Sequence, residues 1–308
     1  MRIRNFLFHR VNTEKDAMWP PMQPELFARI LRQLTRDFTI VPLEYYLDDP
    51  GSFPTKKKIA TILFDDGYKD NIEYAAPILK QHGCPASFYI TTDCIDRNIP
   101  TWTFIFDNTI SKTKTEKLEF SFDFVPEKFR LIPVKINNSN NPVFIRELKP
   151  WMKKLSNPQR LDIMRSLMNQ CPDTPVPENK MMNWDDIRQL KTDGFIIGSH
   201  SHTHPCLSAL HDVSEIKEEL RISGDKIQRE TGKFPETISY PMNNFDDRVT
   251  RLAKETGYKY GLAVGERFYK PGKDNNYRIP RSELHEEPWW KIKIRINGMY
   301  SLVKKIWP

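Results

Sequence analysis

Apolar positions along this chain follow two periods that take turns. Ile3 to Phe8 reads as a buried strand, and Pro24 to Asp37, with Leu26, Phe27, Ile30, Leu31 and Leu34 at helical spacing, as the helix behind it. Ile59 to Phe64 then predicts a strand, Asn71 to Gln81 a helix stopped at Gly83, and Ala86 to Thr91 another strand. After a break the exchange resumes: Asp185 to Thr192 is a helix ended at Gly194, and Phe195 to Ser199 a strand. A long charged helix from Ser214 to Thr231, a strand from Thr237 to Tyr240, a helix from Asp246 to Thr256 stopped at Gly257, and a strand from Tyr260 to Val264 complete the series. Such alternation argues for parallel strands joined by helical crossovers. No repeat of fixed period is present, which excludes solenoids and propellers.

Between about Asp96 and Asn179 the rhythm breaks. Turn-rich stretches (Ser111 to Glu116, Pro133 to Pro142) flank β-like pieces such as Leu118 to Phe124, and a helix is expected from Pro158 to Asn169. We read residues 96–180 as an insertion over the mouth of a barrel, serving as a lid, a specificity element or a structural elaboration. At 308 residues the chain fits one such catalytic domain, and 39% apolar with 12% aromatic residues is enough to fill its core. Disorder throughout is thereby excluded.

Charge changes the picture slightly. A formal net charge of +7 suits an anionic partner. No nucleic-acid partner is expected, because no recognised motif or basic run interleaved with stacking aromatics supports one outside the C-terminus. There, residues 286–308 form a basic amphipathic segment that includes Trp289-Trp290-Lys291-Ile292-Lys293-Ile294-Arg295-Ile296. It is either an element packed on the barrel with its basic side in solvent or a peripheral contact with an anionic membrane. Cys84, Cys94, Cys171 and Cys206 form no C-x-x-C pair, which goes with a reducing compartment. With no signal-peptide pattern at the N-terminus and no run of about 20 apolar residues, a cytoplasmic location is expected, with a peripheral position on the inner face of the membrane as the alternative.

The candidate chemistry lies in two segments. Phe64-Asp65-Asp66-Gly67 closes one predicted strand, and His200-Ser201-His202-Thr203-His204 follows another. Alone, Asp-Asp-Gly is commonly a solvated turn; its pairing with a histidine cluster gives it weight. Adjacent carboxylates on extended chain point oppositely, so Asp65 and Asp66 serve one site only if the chain turns at Gly67. One carboxylate can then bind a metal while the other takes a proton from an activated water. His200 and His204 share a face in a helical turn, and the turn expected at Thr203-His204-Pro205 favours that pair over His202. One Asp with two His meets the ligand count of a catalytic metal site with an open position.

These stretches resemble the polysaccharide deacetylase family, carbohydrate esterase family four, with its NodB-homology domain. The matching residues are Thr61-Ile-Leu-Phe-Asp-Asp-Gly-Tyr-Lys-Asp-Asn71, Pro85-Ala-Ser-Phe-Tyr-Ile90, Ile197-Gly-Ser-His-Ser-His-Thr-His-Pro205 and Ser239-Tyr-Pro241, and Phe8-His-Arg-Val11 is similar to the first strand of biosynthetic-type members. The resemblance implies an α/β fold, a distorted (β/α)7 barrel with an insertion between its first two motifs. It further implies Asp65 as general base, Asp66, His200 and His204 as ligands of one divalent metal (zinc first, with cobalt, nickel and manganese as alternatives), and the Tyr240 amide as an oxyanion donor. Arg281 in Ile279-Pro280-Arg281 would orient Asp65, His285 is the nearest late histidine for a general acid, and His9 is a pocket residue for substrate. The departures are Met242-Asn243-Asn244 where the family often has a glycine, and Thr237-Ile238-Ser239 where many members carry an arginine.

The expected reaction is removal of an N-acetyl group from a sugar of a glycan or of a lipid- or nucleotide-linked precursor in surface-polysaccharide synthesis. An O-acetyl ester, a sugar formamide or a cyclic amide is the alternative substrate, and a catalytically silent carbohydrate-binding barrel the alternative role.

Overall fold

Parallel strands covered on both faces need no polar side, and in β1 (Ile3–Phe8) every residue is buried. The computed structural model describes residues 2–300 apart from 15, 17, 54, 55 and 138. After β1 come β2 (Phe38–Ile40), β3 (Lys58–Phe64), buried after Lys58, and β4 (Ser87–Ile90). The segment between β4 and the next barrel strand holds two small antiparallel pairs, β5 (Lys117–Glu119) with β6 (Leu131–Pro133) and β7 (Lys135–Ile136) with β8 (Ser139–Asn140). The parallel set then continues with β9 (Ile196–Ser199), β10 (Thr237–Ser239), β11 (Tyr260–Val264) and β12 (Ile279–Glu283).

Seven strands close a ring in the order β1, β3, β4, β9, β10, β11, β12 and back to β1, all parallel. β2 stays beside it: it pairs with the start of β3 (Phe38 with Lys58, Ile40 with Ala60), while β4 takes the end of β3 (Leu63 with Ser87, Phe64 with Phe88). Around the ring β4 and β9 share a four-residue register, whereas β9 and β10 meet at one pair, Ser199 with Ile238.

Strand alternation divides the apolar residues into two cores. Ile3, Ile59, Leu63, Tyr89, Leu262 and Ile279 cluster inside the barrel. The intervening Phe6, Phe8, Ile62, Phe64, Phe88 and Ile90 pack outward, against Phe27, Ile30, Leu31 and Leu34 of helix Pro24–Asp37. Near the barrel floor the buried Glu44 carboxylate accepts from Ser87 Oγ and Tyr89 Oη, both at 2.8 Å. Gly198 leaves room for the Tyr89 ring, which a Cβ there would overlap. Since that ring is buried and its hydroxyl is tied to Glu44, Gly198→Ala is expected to cost about 1–3 kcal/mol, the usual penalty of overpacking. Urea denaturation checks this; an unchanged midpoint would show that the ring can move aside.

The helix expected over Asn71 to Gln81 begins as a wide π turn (Asn71–Ala75) before becoming α-helical (Ala76–Gln81). Pro77, lacking an N–H, removes a normal i to i−4 bond there. Residues between Trp102 and Cys171 surround their own core, which includes Phe106, Leu118, Phe129, Phe144 and Leu167. The C-terminal segment forms helix Trp289–Ile296, seated through Ile292, Arg295 and Ile296. Buried Arg4 holds it by donating to the Arg295 carbonyl (2.8 Å) while pairing with Glu266 (3.1 Å). Trp290 is exposed, and the segment expected to continue beyond Tyr300 lies outside the described residues. Among the described residues no helix is long and apolar enough to cross a membrane.

Candidate active site

The parity that fills the barrel also delivers its chemistry. In β3 the inward residues Ile59, Thr61 and Leu63 are followed two positions on by Asp65; β12 continues Ile279 with Arg281 and Glu283, and His9 follows Leu7 at the same parity just past the end of β1. Leu7, His9, Asp65, Arg281 and Glu283, with Asp66, His200 and His204, line a cleft of about 310 Å³ at the C-terminal ends of the strands, where α/β barrels carry their sites.

Asp65 and Asp66 meet one cleft because the chain turns sharply. Asp66 has φ 75° and Gly67 φ 90°, and the left-handed region costs a residue with a Cβ about 1–2 kcal/mol. The histidine loop turns in the same way, with φ 63° at Ser201 and 58° at His204, and Ser201 Oγ accepts the His204 N–H at 3.2 Å. As a result Asp66 Oδ1 lies 3.2 Å from His200 Nε2 and 3.3 Å from His204 Nε2. All three side chains are buried.

The donor set fits a cation. His200 Nδ1 lies 2.8 Å from the Ser239 carbonyl oxygen, which can only accept, so Nδ1 carries the hydrogen and a neutral ring turns the Nε2 lone pair toward Asp66. A lone pair facing a carboxylate is repulsive unless a proton or a cation lies between them. Without a cation, burial opposes charge on these rings: His200, beside both carboxylates, is nevertheless raised above its ordinary pKa, whereas His204 is lowered. Burial also works against the Asp66 carboxylate, yet the two imidazoles hold it well below its usual range. A carbonyl that accepts from the other ring nitrogen and fixes the tautomer is the usual partner of a metal-bound histidine, and among the described residues this trio is the one cluster whose ligand atoms converge, within 4.8 Å of one another.

Beside it, Asp65 is held at both oxygens. Arg281 Nη1 donates to Oδ1 at 2.7 Å and Ser239 Oγ to Oδ2 at 3.0 Å, while Arg281 Nη2 donates to Ser239 Oγ at 2.9 Å. Burial pushes the Asp65 carboxyl up, but the charge of Arg281, then that of His200, outweighs it and leaves the group below its usual value.

The remaining expected residues are placed differently from one another. His9 lies in the cleft with Nδ1 3.3 Å from Glu283 Oε1. His285 does not line it: two residues past Glu283 the strand has ended, and the ring sits 3.6 Å from the Glu283 carboxylate with its side chain 40% exposed. The Tyr240 amide donates to the Leu262 carbonyl at 3.3 Å as a ladder bond, so the donor expected for an oxyanion is engaged. The stretch that lacks glycine adopts left-handed backbone all the same, φ 54° at Met242 and 55° at Asn243, and Asn243 Oδ1 anchors it by accepting the Val264 N–H at 2.7 Å. His202 turns away toward Thr92 (2.9 Å). The sequence reading missed Ser239, whose neighbours there are ordinary strand residues, and Asp107, Lys149 and Lys153, which the segment between β4 and β9 adds to the cleft wall.

A family model described as polysaccharide deacetylase matches residues 53–132 and 152–261, more than half of the chain. The chain belongs to the polysaccharide deacetylase family. Among solved deacetylases, that of Streptococcus pyogenes, PplD in complex with acetate, superposes with a TM-score of 0.61 at 14% identity, over 93% of this chain and 94% of that one. IcaB from Ammonifex degensii gives 0.62 at 12% identity over 97% of each chain. A de-N-acetylase from Aggregatibacter actinomycetemcomitans gives 0.60 at 18% identity over 96% of this chain and all of that one. At these identities the likeness is one of fold, the seven-stranded deacetylase barrel. An uncharacterized 30.6 kDa protein of Geobacillus stearothermophilus is 29% identical over 76 residues, 24% of this chain and 28% of that protein. The match therefore spans less than a third of that relative. Members of this family deacetylate saccharides and are metal-dependent in general, and the buried Asp66, His200 and His204 group of this chain could hold a metal ion.

Proposed function

We propose that the cleft hydrolyses an N-acetyl group on a sugar with one divalent ion held by Asp66, His200 and His204. What carries the reading is the adjacency of that trio to a carboxylate, Asp65, that is ionised, buried and pinned at both oxygens. The ion supplies Lewis acidity, lowering the pKa of water and polarising a carbonyl; two imidazoles and a carboxylate suit zinc, with cobalt, nickel and manganese as alternatives.

Asp65 is the base that takes a proton from the attacking water. Arg281 and Ser239 orient it and keep it charged. As the water oxygen bonds to the acyl carbon and the carbon–nitrogen bond breaks, the leaving amine needs a proton. His9 suits that role better than His285, because its ring lines the cleft and is oriented by Glu283. The acetate recorded with the S. pyogenes deacetylase and the de-N-acetylase activity in the name of the A. actinomycetemcomitans neighbour agree with an N-acetyl substrate.

The test is metal content together with acetate release from N-acetylated saccharides, before chelation, after it and after readdition of zinc, cobalt, nickel or manganese. About one ion per chain and release that vanishes and returns with the ion are expected. Release only from O-acetyl, formyl or cyclic amide substrates would move the site to that bond. Glycan binding with no hydrolysis of any of them would make this a silent barrel.

A further inference from the structure

Helix Trp102–Lys112 and the turn of helix at Lys149–Met152 bring Asp107, Lys149 and Lys153 from the inserted segment to the cleft that holds Asp65 and the three ligand residues. Lys149 and Lys153 are four residues apart, joined by a backbone bond of 3.2 Å from the Lys153 N–H to the Lys149 carbonyl, so both occupy one helical face. Their circumstances differ. Lys149 is neutralised by the buried Asp107 carboxylate at 2.5 Å. Half-buried Lys153 has no carboxylate partner among the described residues.

No other carboxylate of the cleft forms an ion pair with it among the described residues; Glu283 and Asp107 act on it only through longer-range charge. Asp65 is taken by Arg281, Asp66 by the two histidines, and Glu283 contacts the rings of His9 and His285 on the β1 and β12 side. A further cation stands near the same wall: Arg160 is 2% exposed, and its Nη1 is buried without a hydrogen-bond partner. Burial, then the neighbouring Lys149 charge, press the Lys153 amine down and outweigh the opposing pull of Cys206, Glu283 and Asp107. Sequestering an ammonium from water costs free energy unless an anion compensates, so a lysine left partly buried and unpaired in a cleft marks a place where a ligand can supply one.

Resting on the deacetylase reading above, we infer that the inserted wall is an anion subsite centred on Lys153, and that the preferred substrate is an N-acetylated sugar bearing a phosphate or a carboxylate on the same or the adjacent residue. Lys149 is held in reserve by Asp107, so Lys153 makes the direct contact. The +7 net charge of the chain adds long-range attraction for such a substrate. Nothing in this requires a change in the hydrolytic step; the wall selects what is presented to it.

The experiment compares acetate release from di-N-acetylchitobiose, which is neutral, with release from N-acetylglucosamine 1-phosphate and from a disaccharide of N-acetylglucosamine and glucuronic acid. It uses wild type, Lys153→Gln, Lys153→Arg and, as a control on exposed surface, Lys154→Gln. Wild type should favour one anionic substrate over the neutral one by about tenfold or more in kcat/KM, in line with a charge-assisted hydrogen bond. Lys153→Gln should lose that preference through KM, Lys153→Arg should keep most of it, and Lys154→Gln should match wild type. Which anionic substrate leads tells phosphate from carboxylate. Equal use of neutral and anionic substrates, or an unchanged preference in Lys153→Gln, overturns the subsite while leaving the deacetylase reading intact. If no sugar releases acetate, that reading fails, and calorimetric titration with N-acetylglucosamine 1-phosphate still decides the subsite. About tenfold weaker binding by Lys153→Gln than by wild type supports it, and equal or undetectable binding by both rejects it.

Discussion

Asp65→Asn is expected to lower kcat by about 10²- to 10⁴-fold, the range for losing a positioned general base, while the protein still takes up about one metal ion. Asparagine keeps the shape of the side chain, and its amide oxygen can still accept from Arg281, as Asp65 Oδ1 does at 2.7 Å. What it lacks is the ability to take a proton. The ligand trio does not include Asp65, so metal content separates loss of the base from loss of the centre. Metal analysis and acetate release on the same preparation make the comparison. A variant that loses both would show that Asp65 belongs to the metal site, and one that keeps full turnover would assign the base elsewhere.

Arg281→Met should be the most damaging single change to the scaffold around the base. Asp65 and Arg281 are 2% and 1% exposed, and removing one partner of a buried pair typically costs about 3–5 kcal/mol because the other charge is stranded. The effect on chemistry has a definite sign. Burial pushes the Asp65 carboxyl up and the Arg281 charge is the largest influence pulling it down, so with methionine the carboxyl's pKa rises. Because the base acts ionised, the acidic limb of the kcat/KM profile should move to higher pH, with activity recovered in part above it. Denaturant unfolding measures the first effect and the pH profile the second. Lost stability with an unmoved limb would confine Arg281 to a structural role.

Much of this architecture is legible in the chain because strand ends and chemistry coincide. Ile59 to Phe64 is both an apolar run and the rail whose next inward position is Asp65, and Phe195 to Ser199 leads to His200 in the same way. Two short strands escape such reading. Phe38–Ile40 is three residues long and lies beside the ring, and Ile279–Glu283 contains Pro280, which reads as a strand breaker. Ser239 carries no signal of its own, since its role depends on two partners, Asp65 and Arg281, that are distant in sequence. Lys149 and Lys153 are hidden for a related reason: the irregular segment between β4 and β9 gives no periodicity from which to tell which of its many charged residues face the cleft. His285 is the opposite case, a suitable residue type that falls two positions beyond the strand end and outside the cleft lining.

The single-pair joint between β9 and β10 has a mechanical consequence. A ring tied unevenly deforms first where its stitches are fewest, and that place here is flanked by Ser199, which precedes His200, and Ser239, whose carbonyl oxygen lies against the His200 ring and whose hydroxyl bonds Asp65. Side chains therefore do what the backbone ladder leaves undone, with the imidazole acting as a clasp across the thin part of the wall. One residue, Ser239, thus ties the histidine loop to the base across the seam, its carbonyl on His200 and its hydroxyl on Asp65.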